Sequence, residues 1–415
     1  MTGYDFRKFT ALFAAMAVTA SFAAGCGSAP AETAAAETAA AETTAAETTA
    51  AETTTASEEH SAVQFPDIEI ADDAVTFAKN LRFGWNLGNT LDATGKKGMA
   101  SETSWGQPKT TKEIIDFVKE SGFTSIRIPV SWGNHVDEDF NIDKEWMARV
   151  TEVVDYAVED GMYVIINSHH DCEQDLYYPT EEKLESSTKY LETIWTQIAE
   201  NFKDYDERLV FEGMNEPRLK DTSKEWWFND NDPEGVAAIE TVTKFNQVFV
   251  DTVRKGEGYN KTRYLMVTSI CASPNFAINN AFSMPTDSTE NRLLLSIHAY
   301  TPYDFAMNPD GYSVWDGSHA NDITWFIDGV DKKFIKNGYG VVIGEFGSIN
   351  KTNTEDRVKW ADFYTKTAAE HGIPCIIWDN GAKTVGNESF GMVVRTEKSI
   401  LYPEVLEAML NNYKY

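Results

Sequence analysis

Eight short apolar runs, rich in β-branched residues, recur between residues 81 and 378, and each is bounded by turn or polar residues. They are Leu81 to Leu87, Thr124 to Val130, Tyr163 to Asn167, Leu209 to Met214, Tyr264 to Thr268, Leu293 to Ile297, Val341 to Ile343 and Pro374 to Trp378. Their hydrophobicity is nearly continuous rather than alternating, which is the pattern of parallel strands covered on both faces. Helix-period sequence lies between most of them. Trp146, Val150, Val153, Ala157 and Val158 keep helical spacing, as do Leu191, Ile194, Trp195, Ile198 and Phe202, and again Trp360, Phe363, Tyr364 and Thr367. Gly122, Gly161, Gly338 and Gly372 stand where a helix should stop just before the next strand. Eight strands alternating with helices predict an α/β fold, a (β/α)8 TIM barrel. A doubly wound open sheet is the competing arrangement. It would gather polar groups at one crevice, whereas here they stand at the C-terminal ends of nearly all eight runs.

The first part of the chain does not belong to that pattern. Arg7 and Lys8 precede an apolar stretch, Phe9 to Ala24, that is too short for a permanent membrane span and ends in small residues. Residues 1–25 therefore read as a secretory signal peptide. The stretch closes on Phe22-Ala23-Ala24-Gly25-Cys26, and small residues before a cysteine are what a bacterial lipoprotein signal peptidase reads. A lipidated Cys26 on the outer face of a bacterial membrane is the expectation, with an ordinary secretory cleavage site as the alternative. Residues 26–60 follow as a low-complexity linker, in which an Ala/Glu/Thr unit of five residues repeats with Glu32, Glu37, Glu42, Glu47 and Glu52 in register. A period of five puts no apolar stripe on any helical face, so this segment has nothing to bury and is expected to be disordered and extended by its own charge.

Residues 61–415 have ordinary globular composition and suffice for one large domain. The formal charge of the whole chain is −29. A surface this acidic argues against nucleic acid or anionic lipid as a partner, leaves the membrane to the expected lipid anchor alone, and suits a neutral polymer. Cysteines occur at 26, 172, 271 and 375 without the spacing of a disulfide framework or a zinc site, so stability must come from the core. Nothing calls for a cofactor, and nothing demands more than a monomer.

Two carboxylates define the candidate chemistry. Glu216 ends the run Val210-Phe211-Glu212-Gly213-Met214-Asn215-Glu216 and Glu345 ends Val341-Val342-Ile343-Gly344-Glu345, so both stand at strand ends where a parallel barrel builds its site. Two such acids suit sugar cleavage, one protonating the leaving oxygen while the other attacks the anomeric carbon or activates a water. Around them at strand ends come Asn86, Arg127, His169, His170, Asn215, His298, Tyr300 and Trp378. A neighbouring ionised carboxylate and partial burial should keep Glu216 protonated, while Arg127 and Tyr300 should keep Glu345 ionised.

The motifs Arg127-Ile128-Pro129-Val130, Ser168-His169-His170-Asp171, Met214-Asn215-Glu216-Pro217, His298-Ala299-Tyr300, Gly344-Glu345-Phe346-Gly347 and Trp378-Asp379-Asn380-Gly381 occur in this order from about residue 75 onward. On them the chain resembles glycoside hydrolase family 5, and its opening Gly84-Trp85-Asn86-Leu87-Gly88-Asn89-Thr90-Leu91-Asp92 resembles subfamily 4. The resemblance implies a retaining endo-β-1,4-glucanase, with Glu216 as acid/base and Glu345 as nucleophile on strands 4 and 7. It also implies a β-linked glucan as substrate, with xyloglucan or xylan as alternatives.

Other readings remain open at this level. His169, His170, Asp171 and His298 can be read as ligands of a divalent metal in a metal-dependent hydrolase, although this leaves Glu216 and Glu345 unexplained. A surface protein that binds glycan without cutting it would keep the aromatics but typically lose a carboxylate. Arg127 could be a structural ion pair and His170 a strand-end cap. Trp378 reads as a sugar-stacking platform, while Trp226, Trp227 and Trp315 read equally as platforms or as packing anchors.

Overall fold

The computed structural model describes residues 70–414. The predicted signal peptide, Cys26 and the Ala/Glu/Thr linker lie outside the described residues.

Eight parallel strands close into a barrel in sequential order. They are β1 (Phe83–Asn86), β2 (Ser125–Ile128), β3 (Tyr163–Asn167), β4 (Leu209–Glu212), β5 (Leu265–Thr268), β6 (Leu293–His298), β7 (Gly340–Phe346) and β8 (Cys375–Ile377), and each falls on one of the eight apolar runs. Helix α1 (Ala74–Leu81) precedes the barrel. Helices α2 (Lys112–Glu120), α3 (Lys144–Glu159), α4 (Leu184–Asn201) and α5 (Pro233–Lys255) follow β1 to β4 in turn. The remaining helices are α6 (Pro274–Ile278), α7 (Tyr303–Ala306), α8 (Ala320–Lys333), α9 (Thr354–Glu370) and α10 (Pro403–Leu410). Trp146, Val150, Val153, Ala157 and Val158 lie on the buried face of α3, as the helical spacing requires. The four glycines ahead of the next strand, Gly122, Gly161, Gly338 and Gly372, all have positive φ, a backbone state that only glycine adopts without strain.

The barrel interior has two chemically different layers. Below, Ile165, Val210, Met266, Leu294, Val342 and Ile376 pack on Phe77, Ala78 and Leu81 of α1, which plugs the N-terminal mouth. Gly340 permits this close approach, because a Cβ there would stand 2.3 Å from the Ala74 carbonyl oxygen. Two residues further along the strands, the same inward alternation presents Asn86, Arg127, Asn167, Glu212, Ser296 and Gly344 in place of the apolar layer. The polar layer therefore faces the C-terminal mouth, where a barrel of this type carries its chemistry.

Strict alternation from Val342 would turn Glu345 outward. The β7 pairing with β8 shifts register between Ile343 and Phe346, and its pairing with β6 shifts between Ile297 and His298. A local irregularity of this kind re-aims side chains, and it brings Glu345 to the same side as Arg127.

Candidate active site

Arg127 is the hub of the polar layer. Its side chain is fully buried and donates from Nε to Glu212 Oε2 at 2.7 Å and from Nη1 to Glu345 Oε1 at 2.8 Å. It also donates from Nη1 to Asn86 Oδ1 at 3.0 Å and from Nη2 to Asn215 Oδ1 at 2.7 Å. A buried guanidinium needs compensation, and two carboxylates and two amide oxygens supply it. Glu212 and Glu345 raise the affinity of Arg127 for its proton, more than offsetting the burial that opposes the charge. Asn86 is fixed from the other side, its Nδ2 donating to the Gly344 carbonyl at 2.9 Å. Because Asn215 accepts through Oδ1, its amide NH2 is left for another acceptor.

Glu345 is held at both oxygens, Oε1 by Arg127 and Oε2 by the Tyr300 hydroxyl at 2.9 Å. Burial, with the nearby Glu216 charge behind it, lifts its affinity for a proton above the ordinary carboxylate range, against the sequence expectation, although His298, Arg127 and the Tyr300 hydrogen bond pull the other way. With donors on both oxygens, the geometry accommodates the ionised form.

Glu216 lies opposite. His298 Nδ1 is 2.7 Å from Glu216 Oε1 and 3.7 Å from Glu345 Oε2. Glu216, His298 and Glu345 each contribute an atom to a cluster in which all three atoms lie within 4.8 Å of one another. Burial opposes a charge on His298, but Glu345 and Glu216 outweigh it and raise its pKa. Burial pushes Glu216 up, yet the His298 hydrogen bond and charge bring it below the ordinary carboxylate range. The sequence expectation that Glu216 alone is held protonated thus needs correction. The histidine beside it favours the charged carboxylate, and the 2.7 Å contact lets the two groups share a proton.

His169 is buried and held neutral, its pKa lowered by burial and then by His170 and Arg127. Its Nδ1 lies 3.1 Å from Asn167 Nδ2, and Asn167 Oδ1 accepts from the Val130 amide, so His169 accepts at Nδ1 and carries its proton on Nε2. The Trp378 ring stacks parallel to His169 at 5.7 Å, and the indole is 9% exposed. Gly88 makes room for it, since a Cβ there would approach the ring at 2.9 Å. His170 sits on the rim, 3.7 Å from Asp92 and 3.9 Å from Glu173. Burial works against its charge, but these two acids hold its pKa at about 9.

The four residues of the metal-ligand reading separate. Asp92, His169 and His170 form one donor cluster and His298 belongs to another. Asp171 joins neither, because its carboxylate accepts from the Trp132 and Gly133 amides and from Ser168. His169 spends Nδ1 on Asn167, and His170 lies between the carboxylates of Asp92 and Glu173. Of the loop tryptophans, Trp315 packs inside against Phe305 and Phe363, and Trp227 packs on Phe276. Trp226 remains exposed and lies over the Arg218 guanidinium at 4.5 Å.

Several supporting residues escaped the sequence reading. Glu212 was legible only as part of an apolar run, although a buried arginine on a strand implies such a partner. Asp379 accepts from Trp85 Nε1 and the Val393 amide at 2.7 Å each, which secures the chain beyond Trp378. Arg218 lies in a loop and Glu173 in the short 3-10 turn His170–Gln174, where periodicity carries no signal.

Two strand-end glutamates facing each other across a histidine, one anchored to a buried arginine and a tyrosine, are the arrangement of a sugar-cleaving barrel. The family model described as "Cellulase (glycosyl hydrolase family 5)" matches residues 91–384. The chain belongs to glycoside hydrolase family 5. Endoglucanase A of Ruminococcus albus is 42% identical over 354 residues, covering 83% of this chain and 94% of the relative. A family 5 lichenase from Caldicellulosiruptor sp. F32 superposes with a TM-score of 0.80 at 43% identity, over 85% of this chain and 100% of that one. A family 5, subfamily 4 broad-specificity endoglucanase from Ruminococcus champanellensis, solved with cellotriose, gives 0.77 at 42% identity over 83% and 100%. This family 5 glycoside hydrolase therefore shares its fold with relatives along nearly their whole length.

Proposed function

We propose that the enzyme is an endo-acting β-1,4-glucanase that cleaves cellulose or related β-glucans with retention of anomeric configuration. The observation that carries this reading is the approach of Glu216 and Glu345 oxygens to within 4.8 Å. Retaining enzymes hold their carboxyl groups about 5 to 5.5 Å apart, and inverting ones need about 6.5 to 9.5 Å to admit a water. Glu345, ionised between Arg127 and Tyr300, attacks the anomeric carbon as the glycosidic C–O bond breaks. The proton held between His298 and Glu216 passes through Glu216 to the leaving oxygen. A water then enters on the vacated side, gives its proton back to Glu216, and displaces Glu345 from the sugar. Glu216 Oε1 is spent on His298, so Oε2 is the oxygen that serves the leaving group. Asn215, whose amide orientation Arg127 dictates, donates to the sugar 2-hydroxyl, and Trp378 lines the position of the reacting ring. His169 offers Nε2–H to a sugar hydroxyl.

The names of the relatives support a β-glucan substrate, and the acidic composition suits a neutral polymer. We assign the enzyme to the exterior of a bacterial cell, as a monomer tethered through lipidated Cys26, with the repeat as a spacer.

Replacing Glu345 by Ala should abolish turnover, and azide should restore cleavage of a substrate with an activated leaving group, giving a glycosyl azide of inverted configuration. Glu216→Ala with azide should instead give the retained product, because azide intercepts the covalent intermediate. Identical azide products from both variants would contradict the two roles.

A further inference from the structure

Among the described residues Cys172, Cys271 and Cys375 are free thiols, and all three are buried. Cys375 belongs to β8. Cys172 and Cys271 are different, because both grip the loop between β4 and α5, the segment that leaves Glu216. Cys172, in the short turn after β3, donates from Sγ to the Arg218 carbonyl at 3.7 Å. Cys271, in the turn after β5, donates from Sγ to the Glu225 carbonyl at 3.2 Å. Burial pushes both thiols above their ordinary pKa, and the Glu216 charge reinforces the rise at Cys271, so each keeps the proton it donates.

The backbone of the second turn is strained. Cys271 and Ala272 follow one another with φ of 56° and 46°, a left-handed pair without a glycine. Residues with a Cβ hold that conformation only where their surroundings over-determine it, and such strain gathers at functional sites. Here the conformation turns the Cys271 N–H onto the Pro217 carbonyl at 2.8 Å, directly after Glu216. The turn is locked by its own bonds, from the Ala272 amide to the Ser269 carbonyl at 3.0 Å and from the Ser269 hydroxyl to the Ser273 carbonyl at 2.8 Å. Arg218 Nη1 reaches back to the Glu216 carbonyl at 3.3 Å. Glu216, Pro217 and Arg218 therefore have all three carbonyls bonded, although they lie beyond the end of β4 at Glu212 and outside its ladder.

Building on the role proposed for Glu216, we propose that Cys271 and Cys172 are positioning residues for the acid/base, the strained Cys271–Ala272 turn and the two thiols fixing the backbone from which Glu216 reaches the leaving oxygen. Neither cysteine touches the sugar or carries a proton in the reaction. Proton donation depends on reach, and a misplacement of about 1 Å at a reacting group can cost about a hundredfold. Release of this clamp should weaken donation by Glu216 while Glu345, on β7, still attacks.

The test is the dependence of kcat/KM on the leaving group, measured with phenyl and 2,4-dinitrophenyl β-cellobiosides. Phenoxide needs the proton from Glu216, whereas dinitrophenoxide departs without it. Cys271→Gly, which frees the turn and removes its thiol, should lower kcat/KM about tenfold for the phenyl substrate and by less than about twofold for the dinitrophenyl one. Cys172→Ala should act in the same direction more weakly, and Cys172→Ser, which keeps a donor, should recover part of the loss. A general loosening of the barrel would depress both substrates alike. Equal losses on the two substrates in Cys271→Gly and Cys172→Ala, or wild-type values in both variants, would overturn the proposal. Glu216→Ala provides the reference, with a loss concentrated on the phenyl substrate. Equal losses in that variant would overturn the acid role of Glu216 and the clamp with it.

Discussion

Arg127 is a single residue on which two carboxylates and two amides depend, so its loss should be felt twice. Both Arg127 and Glu212 are fully buried, and removing the cation leaves an uncompensated charge in the barrel. Breaking a buried pair in this way costs on the order of 3 to 5 kcal/mol. Catalysis should change in a direction that stability alone cannot explain. Arg127 pulls the Glu345 carboxyl down, so in Arg127→Gln that carboxyl should titrate at higher pH. The acid limb of kcat/KM, which reports ionisation of the nucleophile, should move upward with it. A pH–rate profile of folded Arg127→Gln with the acid limb unmoved would contradict the role given to Arg127. The polar residues that the structure gathers at the barrel mouth could be picked out because most stand at or near the end of an apolar run and are the wrong chemistry for a core. Glu212 was not, because nothing in a single sequence marks which acid on a neighbouring strand will face a buried arginine. The protonation of Glu216 was read wrongly for a related reason. It depends on His298, 82 residues away, approaching to 2.7 Å.

At the scale of elements, the strands and their order could be read because covered parallel strands leave long hydrophobic runs and helices between them leave a 3.6-residue stripe. The plug α1 was less visible, since its sequence borders directly on the first run at Leu81. Phe77 is its anchor, stacked on Tyr264 with centroids 3.7 Å apart and edge-on to Tyr163 at 5.5 Å. Phe77→Ala should cost about 3 to 5 kcal/mol by opening a cavity at the closed end of the barrel, while leaving kcat of the folded enzyme near wild type. Denaturant unfolding gives the first quantity and initial rates the second. A stability loss of less than about 1 kcal/mol would show that α1 merely covers the barrel rather than plugging it. The loops were the illegible elements. Trp227 and Trp315 pack while Trp105 and Trp226 stay exposed, and this difference depends on partners such as Phe276 and Arg218 that no local pattern relates to them.

For the whole molecule, the proposed account joins a secreted, lipid-tethered N-terminus to a catalytic barrel through an acidic spacer. The tether predicts a mature chain that begins at a diacylglyceryl-modified Cys26, and mass spectrometry of membrane-extracted protein should find it. An unmodified N-terminus at another residue would contradict the anchor while leaving the barrel's chemistry untouched. The barrel's chemistry rests instead on one geometric relation, the short gap between Glu216 and Glu345. In the proposed mechanism that gap is too short for a water to act between Glu345 and the sugar, so the product should keep the configuration of the bond that was cut. Proton NMR of the first sugar released from a β-linked glucan decides this directly. Initial appearance of the β anomer, followed by slow mutarotation, is the predicted result, and initial release of the α anomer would contradict the account.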